Sequence, residues 1–326
     1  MQQTPHIRFQ KTRDFGAKLN VTFEFIRQNF KALTTSMLYI AGPAIILFGV
    51  FNGYYQKYAL DFTQIVQGNT IFSNEIFITL GGMIIFGVIS QLLIVTIILE
   101  FVNLYNEKLS TDISVDEVWS SVKLSLGKVV GSTLIFVIAF IVFLGILGFM
   151  MAAVGVSGGT GGVGLIIFIM FLVVPVMVYV GIALSIFFNT MLHEKHPVSE
   201  FGFVFKRCFY LVKTKWWSTF GLVIVSGILR SVMAVVFSLP MMGVLVFSAF
   251  NTINGQEAPQ SMWYDIILIL SSILAMLGSY LLQSIPVLAL TFQYFNLVEL
   301  KDATGLIGEI DSLGTTESKE DIEETY

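Results

Sequence analysis

The residues most suggestive of covalent chemistry are a serine between glycines, Gly155-Val156-Ser157-Gly158. This G-x-S-G spacing is typical of a serine nucleophile, which attacks a carbonyl carbon only when a base lies within hydrogen-bond reach of its hydroxyl. The next histidine along the chain is His193. The lysine and arginine distribution places Ser157 and His193 on opposite sides of a membrane, separated by about 30 Å. The motif therefore does not predict a protease.

A second motif matches a nucleotide site only in part. Gly159, Gly161 and Gly164 form a G-x-G-x-x-G pattern. The dinucleotide fingerprint requires a strand before the glycines and a helix after them, within a βαβ unit. Here the glycines lie between two long apolar segments, so we interpret them as a flexible hairpin turn.

A third motif, the H-E-K-H sequence at 193–196, contains residue types that bind metals. Zinc-binding helices place two histidines at positions i and i+4. His193 and His196 are only three positions apart and directly precede Pro197, so we expect a solvated loop. Cys208 is the single cysteine, which excludes an intrachain disulfide and a CxxC motif. We therefore expect no metal, no cofactor and a protein that is not an enzyme.

The composition points to a membrane protein. Apolar residues make up 55 % of the chain and charged residues 12 %, whereas a soluble domain has about 25 % charged residues. Segments long enough to cross ~30 Å of hydrocarbon as helices lie at about 33–52, 76–103, 129–153, 163–190, 216–239 and 264–297. They predict an all-α integral membrane protein with about six transmembrane helices. Because proline does not fit unstrained inside a regular helix, we predict that the apolar stretch 240–250 after Pro240 is a partly embedded continuation of span five.

Lysine and arginine are unevenly distributed between the two sides of these spans. The predicted inner segments contain Lys108, Lys123 and Lys128, then Lys195, Lys206, Arg207, Lys213 and Lys215. The N-terminal region adds Arg8, Lys11, Arg13, Lys18 and Arg27, whereas the opposite side has Lys57 alone. Since cytoplasmic loops are enriched in Lys and Arg, both termini are predicted to be cytoplasmic. We expect a multi-pass protein of the bacterial cytoplasmic (inner) membrane.

The C-terminal end differs from the rest of the chain. Residues 302–326 contain eight acidic residues and one lysine. Such a sequence does not bury enough apolar surface to fold alone. We therefore divide the chain into a polytopic membrane domain at 1–301 and an acidic cytoplasmic tail at 302–326. The tail either keeps this end soluble or docks to a basic partner.

Three parts of the chain share one design, in which an amphipathic lead-in segment precedes two spans. We predict repeats at about 13–108, 112–196 and 197–301. The apolar stripes, spaced by three or four residues as on a helix face, are Phe15, Leu19, Phe23, Ile26, Phe30 and Leu33; Val115, Val118, Trp119, Val122, Leu126 and Val129; and Phe201, Phe205, Cys208, Phe209, Val212 and Trp216. Such helices lie in the plane of the interface. In the first copy, the opposite face is expected to point to water and holds Lys18, Glu24, Arg27 and Lys31.

The second span of each predicted repeat ends alike, with Asn103, Asn189 or Asn296 a few residues before a glutamate and a lysine. A two-span repeat keeps its orientation, so three copies would be related by an axis along the membrane normal. The alternative is that Asn, Glu and Lys are simply common where helices leave a membrane.

The third lead-in segment, "VSEFGFVFKRCFYLVKTKWWSTFGLVIVSGIL", combines an amphipathic stretch, a basic and aromatic junction and a span. It resembles the membrane domains that precede some bacterial glycerophosphodiester phosphodiesterases, and it is similar to uncharacterised bacterial six-span families. The closing "QYFNLVELKDATGL" looks like the end of the same families. The resemblance implies the six-span fold. It transfers no activity, because no long soluble segment remains for the phosphodiesterase domain.

Four polar side chains fall inside predicted spans, namely Gln91, Glu100, Arg230 and Gln283. Arg230 lies about fourteen residues, or about 21 Å of helix, into span five. A charge at mid-membrane costs roughly 2.5–3.5 kcal/mol, so Arg230 is either functional or reaches headgroups or a polar loop. Glu100 is either functional or faces cytoplasmic water, and interhelical hydrogen bonds explain the glutamines. The predicted interfacial anchors are Trp119, Lys213, Lys215, Trp216 and Trp217.

Two functions fit this pattern. The first is a non-enzymatic scaffold, assembly or lipid-organising component of the membrane. The second is a transporter of a lipid-like or small amphipathic substrate, and an intramembrane enzyme is the weakest alternative. The expected partners are membrane lipids and other membrane proteins that bind the acidic tail, and no nucleic acid is expected.

Overall fold

The computed structural model of the protein describes residues 6–59, 74–108, 110, 112–157, 159–254 and 261–303. Within these residues the α-helices are α1 (Phe15–Ala59), α2 (Asn74–Lys108), α3 (Val115–Ser157), α4 (Gly159–Leu184), α5 (Phe187–His193), α6 (Phe201–Val212), α7 (Trp216–Ile253), α8 (Met262–Leu281) and α9 (Ser284–Asp302). A short 3-10 helix, Val198–Glu200, precedes α6. The described residues contain no strand, so the all-α prediction is confirmed. Most of the predicted acidic tail, 304–326, lies outside the described residues.

Six segments are long and apolar enough to cross a membrane, which confirms the six-span prediction. They are Phe15–Tyr58, Asn74–Lys108, Val115–Ala152, Ile166–His193, Trp216–Asn251 and Met262–Asp302. Helix α1 has 45 residues, and at about 1.5 Å per residue it is roughly twice as long as a ~30 Å hydrocarbon core. Part of this helix therefore extends beyond the hydrocarbon.

The prolines are accommodated in two ways. The stretch after Pro240 continues the span, but it does so as part of the regular helix α7, which runs through Pro240 without the irregularity expected there. Membrane helices tolerate an internal proline where neighbouring groups satisfy the freed carbonyl. The last span, in contrast, is interrupted at 282–283 between α8 and α9. Pro286 lies in the first turn of α9, where its missing N–H removes no intrahelical hydrogen bond.

Burial is concentrated toward one end of several helices. In α3 the buried side chains lie between 118 and 132, and none of the side chains at 134–152 is buried. Helix α2 is mostly exposed at 77–89 and mostly buried at 94–102, and α7 is mostly exposed after 228. The buried ends are the predicted cytoplasmic ends. Exposed apolar surface on the remaining parts is what contact with lipid tails requires.

The lead-in segments fold differently from one another. The first two continue without a break into the spans of α1 and α3, and only the third forms a separate helix, α6. On α1, Phe23 and Phe30 of the predicted stripe are exposed, whereas Thr22 and Asn29 are buried. Leu33 of the stripe is itself buried, so the stripe is exposed only in part, and the buried face of α1 carries both polar and apolar side chains. This arrangement suits a helix surrounded by lipid, because lipid does not drive apolar side chains inward.

The described residues form two compact units. The first comprises Met1–His6, Leu19–Leu124 and Ile224–Ala289, and the second comprises Ile7–Lys18, Ser125–Val223 and Leu290–Tyr326, as far as these ranges are described. Their boundaries do not coincide with those of the three predicted repeats, and the threefold repeat stays a prediction. Its marker residues make different contacts. Asn103 donates to Glu100 Oε2 at 3.3 Å, whereas Asn296 accepts from the backbone N–H of Arg13 at 2.7 Å.

In the first unit, α1 and α8 approach closely at two glycines. A methyl group on Gly49 would lie 2.7 Å from Cα of Ile273, and one on Gly53 would lie 3.0 Å from Cα of Ile269. The two glycines form a G-x-x-x-G pattern, which lets membrane helices approach backbone to backbone. Only residues without a side chain fit this contact without displacing α8.

Polar pairs flank the same helix contact. The hydroxyl of Ser272 donates to Asn52 Oδ1 at 3.0 Å, and both residues are buried. Lys57 Nζ and Asp265 Oδ2 form an ion pair at 2.6 Å. A buried interhelical hydrogen bond contributes roughly 0.6–2 kcal/mol in a membrane protein. The pairs therefore fix the register of α1 against α8.

Candidate functional site

Four of the five predicted anchors lie at one junction of the second unit, with Lys213 and Lys215 in a short turn and Trp216 and Trp217 at the start of the next helix. Helix α6 ends at Val212, and α7 begins at Trp216. The turn is closed by backbone hydrogen bonds from Lys213 N–H to Phe209 O at 3.0 Å and from Lys215 N–H to Val212 O at 2.9 Å. The basic residues of the junction are therefore held directly before the first residues of a predicted span.

These anchors line a cavity of about 570 Å³, which we call the aromatic cavity. Its lining residues are Pro175, Tyr179, Lys213, Thr214, Lys215, Trp216, Trp217 and Ser218. The Trp216 indole N–H donates to the carbonyl of Tyr179 at 3.2 Å, and the two rings stack at 5.7 Å. Trp217 is 77 % exposed beside the edge of Trp216. The cavity thus combines fixed aromatic walls with lysines.

The fifth predicted anchor, Trp119, belongs to the first unit. It lines a smaller cavity of about 200 Å³ with Tyr39, Ile40, Val115 and Asp116. The ammonium of Lys123 lies 5.6 Å from the centre of the Trp119 ring. This cation–π contact places the lysine cation against an exposed aromatic ring, as expected of a side chain at headgroup depth.

A second cavity of the second unit, about 360 Å³ in volume, is more polar. We call it the basic cavity, and its lining residues are Thr12, Arg13, Asp14, Phe15, Lys18, Lys215, Ser218, Asn296 and Leu300. Three of these side chains are cationic and one is a carboxylate. Lys215 and Ser218 line both the basic and the aromatic cavity. The two cavities therefore share part of one wall.

Lys18 is the most deeply buried cation of the basic cavity. Only 3 % of this residue is exposed, so the prediction that it faces water is wrong. The cause is that Lys18 lies on the buried face of α1, four residues before the buried Thr22. Lys18 Nζ donates to Gln293 Oε1 at 2.6 Å and to Ser218 Oγ at 3.5 Å. The amide group of Gln293 in turn donates to Thr219 Oγ1 at 2.8 Å, which orients the glutamine oxygen toward the lysine.

Arg13 fastens the N-terminal segment beside this cavity. Its guanidinium donates to the carbonyls of Phe9, at 3.0 Å, and Arg8, and it lies over the Phe292 ring at 5.4 Å. Burial lowers the pKa of Arg13 from its ordinary value. Phe9 is buried and stacks on Phe292 at 4.6 Å. The segment before α1 is therefore packed into the second unit.

The polar residues predicted inside the spans do not line either cavity. Arg230 Nη2 donates to Ser279 Oγ at 2.8 Å and to Ser279 O at 3.4 Å. Ser279 is in the last turn of α8, so the guanidinium lies at the negative end of that helix dipole. Glu100 is buried, Gln91 is exposed, and Gln283 lies in the turn between α8 and α9. The structure thus gives Arg230 a helix-stabilising contact.

The histidine motif lies in a network of ionic and polar side chains. Glu194 accepts hydrogen bonds from Arg207 Nε at 3.2 Å and from the Tyr294 hydroxyl at 3.1 Å, and it pairs with His196 Nε2 at 3.2 Å. Arg207 also pairs with Asp302. Asp302, predicted to begin the tail, is therefore the last residue of α9 and part of the fold. Among the described residues, no group of three or more His, Cys, Asp or Glu side chains could hold a metal ion.

Cys208 lies on the buried face of α6. Its Sγ lies 3.6 Å from Thr190 Oγ1, and no part of the residue is exposed. Burial raises the pKa of the thiol to about 12. Since the thiolate is the reactive form, the thiol of the natural chain is expected to be unreactive in the folded protein.

Sequence reasoning singled out four residues that line the aromatic cavity, but it missed the basic cavity. The walls of the basic cavity come from segments near residues 15, 215 and 296, which are far apart along the chain. Lys18 gives no distinct signal in the sequence, because the same helical run also carries Arg27 and Lys31. Comparison of the chain with protein-family models, curated proteins and solved structures gave no match.

Proposed function

We propose that the protein is a non-enzymatic, multi-pass membrane protein that binds and organises anionic phospholipids at the cytoplasmic face of the bacterial cytoplasmic membrane. The main support is the aromatic cavity, where Lys213, Lys215, Trp216 and Trp217 lie together at the start of an apolar helix. Tryptophan rings favour headgroup depth. Each lysine near an anionic lipid surface contributes about 1 kcal/mol of attraction.

Lipid retention tests this proposal. The full chain is purified in mild detergent, and bound phosphatidylglycerol and phosphatidylcholine are counted by native mass spectrometry. Replacing Lys213 by glutamine together with Trp217 by alanine removes one charge and one exposed ring from the aromatic cavity. We expect roughly five- to tenfold weaker retention of phosphatidylglycerol, because attraction of about 1 kcal/mol per lysine and the ring contact are both lost.

The matched control removes the same residue types elsewhere. Lys206 and Trp263 are both exposed and do not line the aromatic cavity. The Lys206→Gln, Trp263→Ala variant is expected to retain phosphatidylglycerol as the natural chain does. Equal retention by both variants, or no preference of the natural chain for the anionic lipid, would contradict the proposal.

The proposed orientation rests on the lysine and arginine distribution. Cys208 is the single cysteine and is buried, so added cysteines report alone. With a membrane-impermeant maleimide, we expect Asn254→Cys to react in intact cells and Lys206→Cys to react only after lysis. The two positions are both exposed. Labelling of Lys206→Cys in intact cells, with labelling of Asn254→Cys only after lysis, would show that the topology is the reverse of the proposed one.

Transport of a lipid-like substrate is the second candidate. It is favoured by the interruption of the last span at 282–283, because transporters often build substrate sites at broken helices. Arg230, the residue first considered for such a role, is engaged by Ser279. A docking role for the tail also remains a prediction, because 304–326 lies outside the described residues.

A further inference from the structure

We propose that the basic cavity binds a phosphate monoester, either as the headgroup of a phospholipid or as a soluble phosphorylated compound. The site is formed by Lys18, Lys215 and Ser218, with Arg13 and Asn296 completing its wall. The lipid source rests on the proposed function, whereas the phosphate site itself does not.

The first argument is charge. Lys18 and Lys215 both line the cavity and repel each other, while Arg13 adds a third positive charge. The one carboxylate in the wall, Asp14, accepts a hydrogen bond from the backbone N–H of Ala17 at 2.7 Å. Asp14 thus serves as the N-cap of α1, where a carboxylate oxygen satisfies the first turn. The cavity therefore has an excess of positive charge that a bound dianion would neutralise.

The second argument is the number of hydrogen-bond donors. The Lys215 ammonium and the hydroxyls of Thr12 and Ser218 line the same space. The Lys18 ammonium, which already donates to Gln293 and Ser218, adds its charge. Asn296 uses its side-chain oxygen to accept from Arg13 N–H at 2.7 Å, so its NH2 group remains as a donor. Phosphate oxygens accept several charge-assisted hydrogen bonds at once. A single carboxylate would use fewer of these donors.

The third argument is the position of the cavity. Ser218 belongs to the first turn of α7, a helix of 38 residues whose N-terminus begins at Trp216. The first N–H groups of a helix have no intrahelical acceptor, and its dipole favours an anion there. The volume of about 360 Å³ lies within the range of ~300–1,000 Å³ usual for small-molecule sites.

The wall shared with the aromatic cavity explains how a lipid could use both sites. Lys215 and Ser218 line both cavities. They line the basic cavity together with Lys18, and the aromatic cavity together with Trp216 and Trp217. A phospholipid with its phosphate in the basic cavity would have its glycerol and chains beside the aromatic rings. The Lys213 side chain lines the aromatic cavity but not the basic one.

Binding of defined probes tests the site. The full chain in nanodiscs of phosphatidylcholine is titrated with glycerol phosphate and, as a carboxylate comparison, with succinate, by isothermal calorimetry. A second set of nanodiscs contains phosphatidic acid in place of part of the phosphatidylcholine, and its retention is measured by lipid extraction. The variants are Lys18→Met, Lys215→Gln and, as the control of equal charge, Lys206→Gln, whose lysine is exposed and lines neither cavity.

We expect the natural chain to bind glycerol phosphate at least about tenfold more tightly than succinate. Lys215→Gln should weaken this binding by about tenfold, since one charge-assisted contact is lost. Lys18→Met should remove it, whereas Lys206→Gln should leave it unchanged. Lys215 is exposed, so its variant tests the site even where Lys18→Met fails to fold.

Each of the remaining outcomes either supports or contradicts the phosphate site. Binding of phosphatidic acid, with or without the soluble probe, that depends on Lys215 supports a phosphate site occupied by a lipid. Binding of glycerol phosphate alone supports a site for a soluble compound and counts against the lipid-organising function. The site is overturned if neither probe binds, or if Lys206→Gln weakens binding of glycerol phosphate as much as Lys215→Gln does.

Discussion

Replacing Gly49 by alanine is expected to destabilise the folded protein by about 1–3 kcal/mol, and replacing it by valine by more. The added methyl group would lie 2.7 Å from Cα of Ile273, which is backbone and cannot rotate away. Helix α8 would have to shift, and the buried hydrogen bond between Ser272 and Asn52 would be strained with it. The measurement is the unfolding transition in mixed detergent and dodecyl sulfate, followed by circular dichroism.

Gly227, inside α7, provides the control. A methyl group there would meet no heavy atom within 4 Å. Gly227→Ala should leave stability unchanged or raise it by up to about 1 kcal/mol, because alanine has the higher helix propensity. Equal effects of the two substitutions would show that α1 and α8 do not pack through Gly49.

The G-x-x-x-G contact shows which part of helix packing can be predicted from the sequence. Gly49 and Gly53 are visible as a pattern within the first apolar segment, and their small size predicts a close helix contact. The partner helix is not visible, because Ile269 and Ile273 differ in no obvious way from other apolar residues of α8. A local pattern therefore predicts that a contact exists, while only the fold determines its partner.

The six spans were predictable because the apolar runs that define them are local. The face that each helix buries was harder to predict. In a soluble protein the stripe with Phe23 and Phe30 would point to the core, but in lipid it can point outward. Thr22 and Asn29 lie on the buried face of α1, together with Leu33 of the stripe. The spacing of the apolar residues correctly predicted a helix at α1, but it did not predict which face of that helix is buried.

The candidate site was only half predictable. The lysines and tryptophans at 213–217 are adjacent in sequence, and their types indicate an interface. The basic cavity depends on Lys18 and Asn296 approaching the same turn, and nothing in the local pattern brings these segments together. The break at 282–283 was partly predictable, because a proline such as Pro286 is favoured in the first turn of a helix and so indicates that a helix could begin just before it.

Replacing Glu194 by alanine is expected to destabilise the protein by about 2–4 kcal/mol, below the upper range for a broken buried ion pair. Glu194 is the common acceptor for Arg207 and Tyr294 and pairs with His196. Its removal leaves the Tyr294 hydroxyl without this acceptor, while Arg207 keeps Asp302. The loss of stability is moderated because this second pair remains and because the Glu194 side chain is 21 % exposed. The measurement is the same unfolding transition.

Glu200→Gln is the matched control, since the Glu200 carboxylate also pairs with His196, at 2.6 Å, but is 50 % exposed. An exposed pair of this kind contributes at most about 1 kcal/mol. A double-mutant cycle of Glu194→Ala with Tyr294→Phe then measures whether the two side chains act together. We expect a coupling energy above about 0.5 kcal/mol, as for residues in one hydrogen-bond network. Additive effects would show that the network does not hold α9.

The same substitution connects stability to the proposed function. Arg207 lies on α6, whose end at Val212 directly precedes the lysines and tryptophans of the aromatic cavity. Loss of Glu194 should loosen α6 and thereby the turn at 213–217, so retention of phosphatidylglycerol should fall although no residue of the cavity has changed. Glu200→Gln should leave it unaltered. Unchanged lipid retention in a destabilised Glu194→Ala protein would mean that the turn is held by its own backbone hydrogen bonds, from Lys213 and Lys215, rather than by the network behind it.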